Sequence, residues 1–304
     1  MGPLIRSFGL LLVLGAVLTW VVGCVDRRRR PAEEEETPED DDDDSGVGGD
    51  DDAGDDDDFE WEGDPVLLAS YDFTLVMTKN ALSGQFAAIH GTMDVSVTET
   101  QFLAELVTDD GTQWDWFGSL LNTTSFDVYG DFAPPGADPT IVNVAGNFLA
   151  DAGQVDGSNS CLTGLGKDDD PNLGNEEGRY VQFTWYACRQ DAGPSAVDRS
   201  GPHSPTAVTV WDFCGGIWAS WPNETWSLQG RNLHVSNARG DQGWGVISDD
   251  GRLFRYTILQ AENPGRSVKV IGDFQSTTQN QALAHGYCGD GQMKSDTRLN
   301  LNGY

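Results

Sequence analysis

From Pro65 onward, apolar and polar residues alternate over short runs with the period of two that marks half-buried strands, and helical spacing is nearly absent. Tyr71–Thr78, Gln113–Phe117, Phe126–Tyr129 and Tyr180–Tyr186 follow this pattern, as do Ala207–Trp211, Leu253–Ile258 and Val268–Ile271. The runs are rich in aromatic and β-branched residues, which suit a pleated surface. Asp109-Asp110-Gly111 and Asp249-Asp250-Gly251 interrupt them as hairpin signals, because the turn needs a positive φ that glycine supplies. The pattern predicts an all-β fold of about twelve to fourteen strands, an antiparallel β-meander forming a sandwich or a sandwich-like barrel.

The runs also repeat. Val95-Ser96 precedes the first Asp-Asp-Gly by fourteen residues, and Val235-Ser236 precedes the second by the same fourteen. Each block then reaches Gly-Asp-Phe, at Gly130–Phe132 and at Gly272–Phe274, and Gly146-Asn147-Phe148 is a third relative. This suggests an internal duplication of the meander, with halves at 65–150 and 205–304 around a loop-rich middle, 151–204.

A different pattern precedes the strands. Phe8–Val22 is apolar and uncharged, shorter than the roughly 20 residues of a membrane-crossing helix and of the length of a signal-peptide core. It ends Val21-Val22-Gly23-Cys24. These four positions resemble the lipobox of bacterial lipoproteins, a likeness confined to residues 1–24. The resemblance implies cleavage before Cys24, acyl chains on Cys24 and anchoring to a lipid bilayer without a spanning helix, since two or more chains hold stably. Arg27–Arg30 would then lie at the headgroups. Val25, rather than Asp, follows the cysteine. In the family's sorting rule this points to the outer membrane, facing either the periplasm or the outside.

Charge extends the reading. Residues 33–64 hold twenty Asp and Glu and no Lys or Arg, a composition that favours a disordered, self-repelling tether. Such a run reaches on the order of 100 Å when stretched. Residues 65–304 carry 28 acids against 13 bases, which argues against nucleic acid, whose binding rests on basic residues. Apart from Cys24 there are four cysteines, an even number that in an exported chain implies two disulfides with three possible pairings. Nearest neighbours give Cys161–Cys188 and Cys214–Cys288.

Candidate chemistry is sparse. His90, His203, His234 and His285 show no metal-binding spacing, and no nucleophile elbow or phosphate loop is present. No cofactor is expected beyond calcium. Asp168, Asp170 and Asn172 alternate like the start of a calcium loop, but Gly174 falls at the seventh position and Arg179 stands where a bidentate Glu belongs. Eight tryptophans follow residue 64; Trp114 and Trp116 share one strand face and read as core. Trp218, Trp221 and Trp226, around Pro222, read as the better candidates for an exposed ligand-binding patch. The sequence thus leads to an envelope lipoprotein with a non-enzymatic binding or structural domain, its ligand a carbohydrate or a protein. The alternative is a hydrolase, for example of carbohydrate, with catalytic residues scattered along the chain.

Overall fold

The computed structural model describes residues 63–122, 125–149, 161–168, 180–204, 212–213, 216–217, 223–263, 265–274, 281–288 and 293–300. Among them every regular element is a strand, and no helix is long and apolar enough to cross a membrane. The first eight strands are β1 (Val66–Asn80), β2 (Ala88–Val97), β3 (Gln101–Thr108), β4 (Gln113–Asn122), β5 (Ser125–Phe132), β6 (Thr140–Phe148), β7 (Cys161–Asp168) and β8 (Val181–Arg189). Then come β9 (Gly201–His203), β10 (Asp212–Phe213), β11 (Gly216–Ile217), β12 (Glu224–Gln229), β13 (Asn232–Asn237) and β14 (Gln242–Ile247). The last are β15 (Leu253–Leu259), β16 (Ser267–Phe274), β17 (Gln281–Cys288) and β18 (Met293–Asn300). Among the described residues there are eighteen strands, more than expected, in part because β9, β10 and β11 are too short to show alternation.

Strands β1 to β8 pair in chain order, all antiparallel, and β8 returns to β1 from Tyr71↔Arg189 to Asn80↔Val181, closing a barrel. The second sheet runs β9-β12-β13-β14-β15-β16-β17-β18 and curls without closing among the described residues. Its order matches the barrel's β8-β1-β2-β3-β4-β5-β6-β7, with one difference of connection. The strand in the place of β8 is β9, which precedes its sheet in the chain and pairs with only Glu224–Trp226. The sequence echo falls on matching strands: Val-Ser on β2 and β13, Gly-Asp-Phe on β5 and β16. The stretch 151–204 is not simply loop-rich, since it supplies β7 and β8, the strands that close the barrel, together with β9.

The two Asp-Asp-Gly turns are built alike. The Thr108 hydroxyl donates to Asp110, and the Thr112 N–H donates to the same carboxylate at 3.1 Å. In the other turn Ser248 donates to Asp250 at 2.6 Å and the Arg252 N–H at 2.9 Å. Gly111 and Gly251 take φ of +88° and +72°, which is why glycine closes both. The Thr108 bond holds the Asp110 carboxyl below its usual range. Burial opposes the same effect at Asp250, but the Ser248 and Arg252 bonds prevail.

Inward parity fills the barrel. Tyr71, Phe73, Leu75 and Met77 of β1 meet Trp114 and Trp116 of β4 and Phe183 and Trp185 of β8 in one continuous core. Phe102 stacks on Phe126 with centroids 4.0 Å apart, and Phe183 lies 4.7 Å from Phe132 and 6.0 Å from Trp116. Small residues make room for the rings: Gly164 pairs with Trp185, and Gly166 with Phe183. A Cβ on Gly166 would come within 2.0 Å of the Phe183 ring. Each ring so buried contributes roughly 1.5–3 kcal/mol.

The curled sheet has its own inner cluster, with Trp226, Phe254, Tyr256, Ile258 and Phe274. Its other face packs on the outside of the barrel. There Val246 and Leu259 meet Val76, Tyr186 and the Cys161–Cys188 disulfide. Thr257 joins the two bodies by hydrogen bonds to Thr184 at 2.8 Å and to the Tyr186 hydroxyl at 2.7 Å. Cys24, Cys214 and residues 33–62 lie outside the described residues, and Cys288 is placed only by its backbone.

Candidate functional site

Ring packing gives the barrel a solid core, so its solvent-facing side chains lie on the outer face. Strand alternation puts Asp115, Phe117 and Ser119 of β4 outside, opposite in parity to Trp114 and Trp116, which are 5% and 1% exposed. Register then builds a row around the barrel: Leu103 beside Phe117, Phe117 beside Tyr129, Tyr129 beside Asn143, Asn143 beside Lys167. Directly paired side chains on one face start about 4.5–5.5 Å apart at Cβ, close enough for the two rings to form one platform. Phe117 is 42% and Tyr129 43% exposed.

Polar groups frame this platform. Glu105 and Asp115 are paired on one side, with Asp131 on the next strand. On the other side Ser119 pairs with Asp127, whose carboxylate accepts a 2.8 Å bond from the Asn143 amide. The surface offers aromatic faces, carboxylate and amide oxygens, and a single lysine in the row. That combination suits a ring with apolar C–H faces and hydroxyl edges, and it repels a polyanion. The sequence carried a signal for it: Phe117 directly follows Trp116, and Tyr129 follows Val128, so each breaks its strand's alternation.

The residues singled out from the sequence are distributed otherwise. Trp226 is no part of an exposed patch. It is 1% exposed, because β12 turns it into the curled sheet's core against Phe254 and Tyr256 at 5.0 and 5.7 Å. Its indole N–H donates to Glu224 at 2.8 Å, and the Tyr256 hydroxyl reaches both Glu224 oxygens at 3.2 and 3.1 Å. Burial, then the neighbouring Glu224 carboxylate, pushes the Tyr256 hydroxyl well above the usual phenol range. Buried His203 lies 4.6 Å from Trp226 and donates from Nε2 to the Arg199 carbonyl at 2.8 Å. Arg199 itself sits 4.1 Å over the Phe274 ring. Burial lowers the pKa of His203; the hydrogen bond to Arg199 opposes the shift and the Arg199 charge adds to it. This polar cluster holds the sheet's inner face together. Trp218 and Trp221 lie outside the described residues.

His90 and His234 are brought together at the seam between the barrel and the curled sheet. Their rings flank half-buried Trp244 at 6.0 and 5.9 Å. Thr74 binds His90 Nδ1 at 3.0 Å, and Gln242 binds His234 Nε2 at 2.8 Å. Burial lowers the pKa of His90; Asp109 opposes that and His234 adds to it. His285 is exposed on β17.

Asp168 is buried, and its carboxylate accepts the backbone N–H groups of Tyr180, at 3.0 Å, and Val181. It thereby ties the end of β7 to the start of β8, which accounts for an acid at that position without calcium. Asp170 and Asn172 lie outside the described residues. Among the described residues no group of three or more His, Cys, Asp or Glu side chains is placed to hold a metal ion. No protein-family model matches the chain, and no curated protein or solved structure matches it.

Proposed function

We propose that the chain is an envelope lipoprotein, anchored through acyl chains on Cys24, whose β domain is a non-enzymatic module binding a neutral carbohydrate on the outer face of the barrel. The outward Phe117–Tyr129 pair framed by Glu105, Asp115, Asp127, Asp131 and Asn143 carries this reading. Sugar C–H faces would pack on the rings, and hydroxyls would donate to the surrounding oxygens. The excess of carboxylates favours a neutral or cationic sugar over an anionic one. The lipobox-like Val21–Cys24 and the acidic run 33–64 support an outer-membrane attachment with the domain held off the bilayer.

Retention of the purified protein on insoluble chitin, cellulose and xylan tests the binding. At least one should retain the wild type, and Phe117→Ala or Tyr129→Ala should weaken retention about tenfold or more, the equivalent of about 1.4 kcal/mol. Retention unchanged by both substitutions, or absent from all three polysaccharides, would refute the proposed surface. Release of soluble sugar by the wild type would turn the reading to a hydrolase. For the anchor, mass spectrometry of the mature N-terminus should find acylated Cys24, and Cys24→Ser should free the protein from membranes or leave its signal uncut.

A further inference from the structure

One polar pair beside the aromatic platform is oriented before any ligand arrives. Asn143 is the cross-strand neighbour of Tyr129, and Asp127 lies two residues before Tyr129 on β5, on the same outward face. The Asn143 amide reaches diagonally between the strands to Asp127 Oδ1 at 2.8 Å. A carboxylate accepts hydrogen bonds and donates none, so the amide nitrogen faces Asp127 and the Asn143 amide oxygen turns away from it. Three groups are left over: the second amide hydrogen, the amide oxygen and Asp127 Oδ2. None of them has another partner among the described residues.

The pair is open to a ligand. Asp127 and Asn143 are half-buried, and the cross-strand neighbours of Asp127 are Ser119 and Ala145, two short and exposed side chains. The acids on the far side of the rings differ: no side-chain hydrogen bond orients Glu105, Asp115 or Asp131 among the described residues. The charge-assisted bond from Asn143 to Asp127 fixes both side chains in advance, which reduces the ordering cost of binding. A donor next to an acceptor, at the edge of a flat apolar surface, matches two hydroxyls on neighbouring carbons of one sugar ring. One hydroxyl donates to Asp127 Oδ2. The next accepts the second amide hydrogen of Asn143, while the ring's C–H face lies on Phe117 and Tyr129.

We infer that Asp127 and Asn143 are the specificity-determining pair of this surface, and that its ligand is a neutral glycan with free hydroxyls on adjacent carbons. The inference rests on the carbohydrate reading of the platform and narrows it to one class of sugar. Chains of 1,4-linked glucose or xylose keep their 2- and 3-hydroxyls free. Chitin carries an acetamido group at carbon 2, and a 1,3-linked glucan uses its 3-oxygen in the linkage. Neither offers the hydroxyl pair along its chain, and a site built to bond a hydroxyl rejects the analogue that lacks it.

Retention of the full chain on cellulose, xylan, chitin and an insoluble 1,3-linked glucan tests the inference. Cellulose or xylan should hold the wild type about tenfold or more better than chitin and the 1,3-linked glucan. Asp127→Asn and Asn143→Ala should each weaken that retention about tenfold and erase the preference, with circular dichroism and the urea midpoint checking that the variants fold. A second arm leaves the protein unaltered. Soluble cello-oligosaccharide should release the protein from cellulose, and its fully O-methylated form should not, because methylation removes the donor hydroxyls. Equal retention on all four polysaccharides, a preference that survives both substitutions, or release by the methylated sugar would each overturn the role of the pair. If Phe117→Ala still weakens retention in those cases, the aromatic platform itself stands. Retention on none of the four would overturn the pair and the platform together.

Discussion

Replacing Gly166 by alanine adds one methyl group at a crowded point of the barrel wall. The new Cβ would come within 2.0 Å of the ring of Phe183, the cross-strand partner of Gly166. That ring has little freedom to move, since Phe132 lies 4.7 Å from it on one side and Trp116 stacks at 6.0 Å on another. Overpacking of a tight core costs about 1–3 kcal/mol, and a ring fixed on several sides places this substitution at the upper end. For a domain of this size each kcal/mol lowers Tm by about 2–4 °C, so a fall of roughly 4–12 °C is expected. Urea unfolding gives the free energy directly. A double-mutant cycle then isolates the cause. Phe183→Ala alone should cost about 3–5 kcal/mol, but it vacates the space the methyl needs. Gly166→Ala on that background should be nearly neutral, a coupling of about 1–3 kcal/mol. If Gly166→Ala is neutral in the wild type, or if the two effects simply add, the claim that glycines make room for the core rings is wrong.

Three further outcomes follow from named contacts. Cys161→Ser with Cys188→Ser opens a bridge spanning 27 residues and should cost about 3.5 kcal/mol by loop entropy, measured as a lower urea midpoint. Tyr256→Phe removes the hydroxyl that reaches both oxygens of buried Glu224 and should cost about 1.5–3 kcal/mol, with the Trp226 environment reported by its fluorescence. Titration should show two windows. His90 and His203 have pKa values lowered by burial, so below about pH 6.5 the unfolded chain binds more protons and stability falls as pH drops through their folded values. His90→Gln combined with His203→Gln should flatten that part of the profile. Lys269 has its pKa lowered to about 8 from 10.5, so stability rises with pH across that interval; Lys269→Met should remove the slope and be more stable than the wild type at pH 7.

Much of the candidate surface was legible once parity was respected. Trp114 and Trp116 occupy the inward positions that alternation assigns to them, and the adjacent Phe117 must therefore point outward. The sequence could not show that Phe117 and Tyr129 sit side by side, because their pairing depends on the β4–β5 register. Trp226 was misread for a related reason. Pro222 and neighbouring tryptophans suggested a turn, while its burial depends on Phe254, Tyr256 and Phe274, residues far along the chain.

The sequence by itself determined the strand character, the inward and outward set within most strands, and the two Asp-Asp-Gly turns. Each of these is encoded within a few neighbouring residues, by a period of two or by one carboxylate and one glycine. Only the tertiary structure decided that β8 closes onto β1, that β9 takes the equivalent place in the second sheet from the other end of the connection, and that His90, His234 and Trp244 meet at a seam. Closure and seam depend on pairing between segments distant in sequence. Their free energy comes from buried rings and cross-strand hydrogen bonds that no local pattern contains.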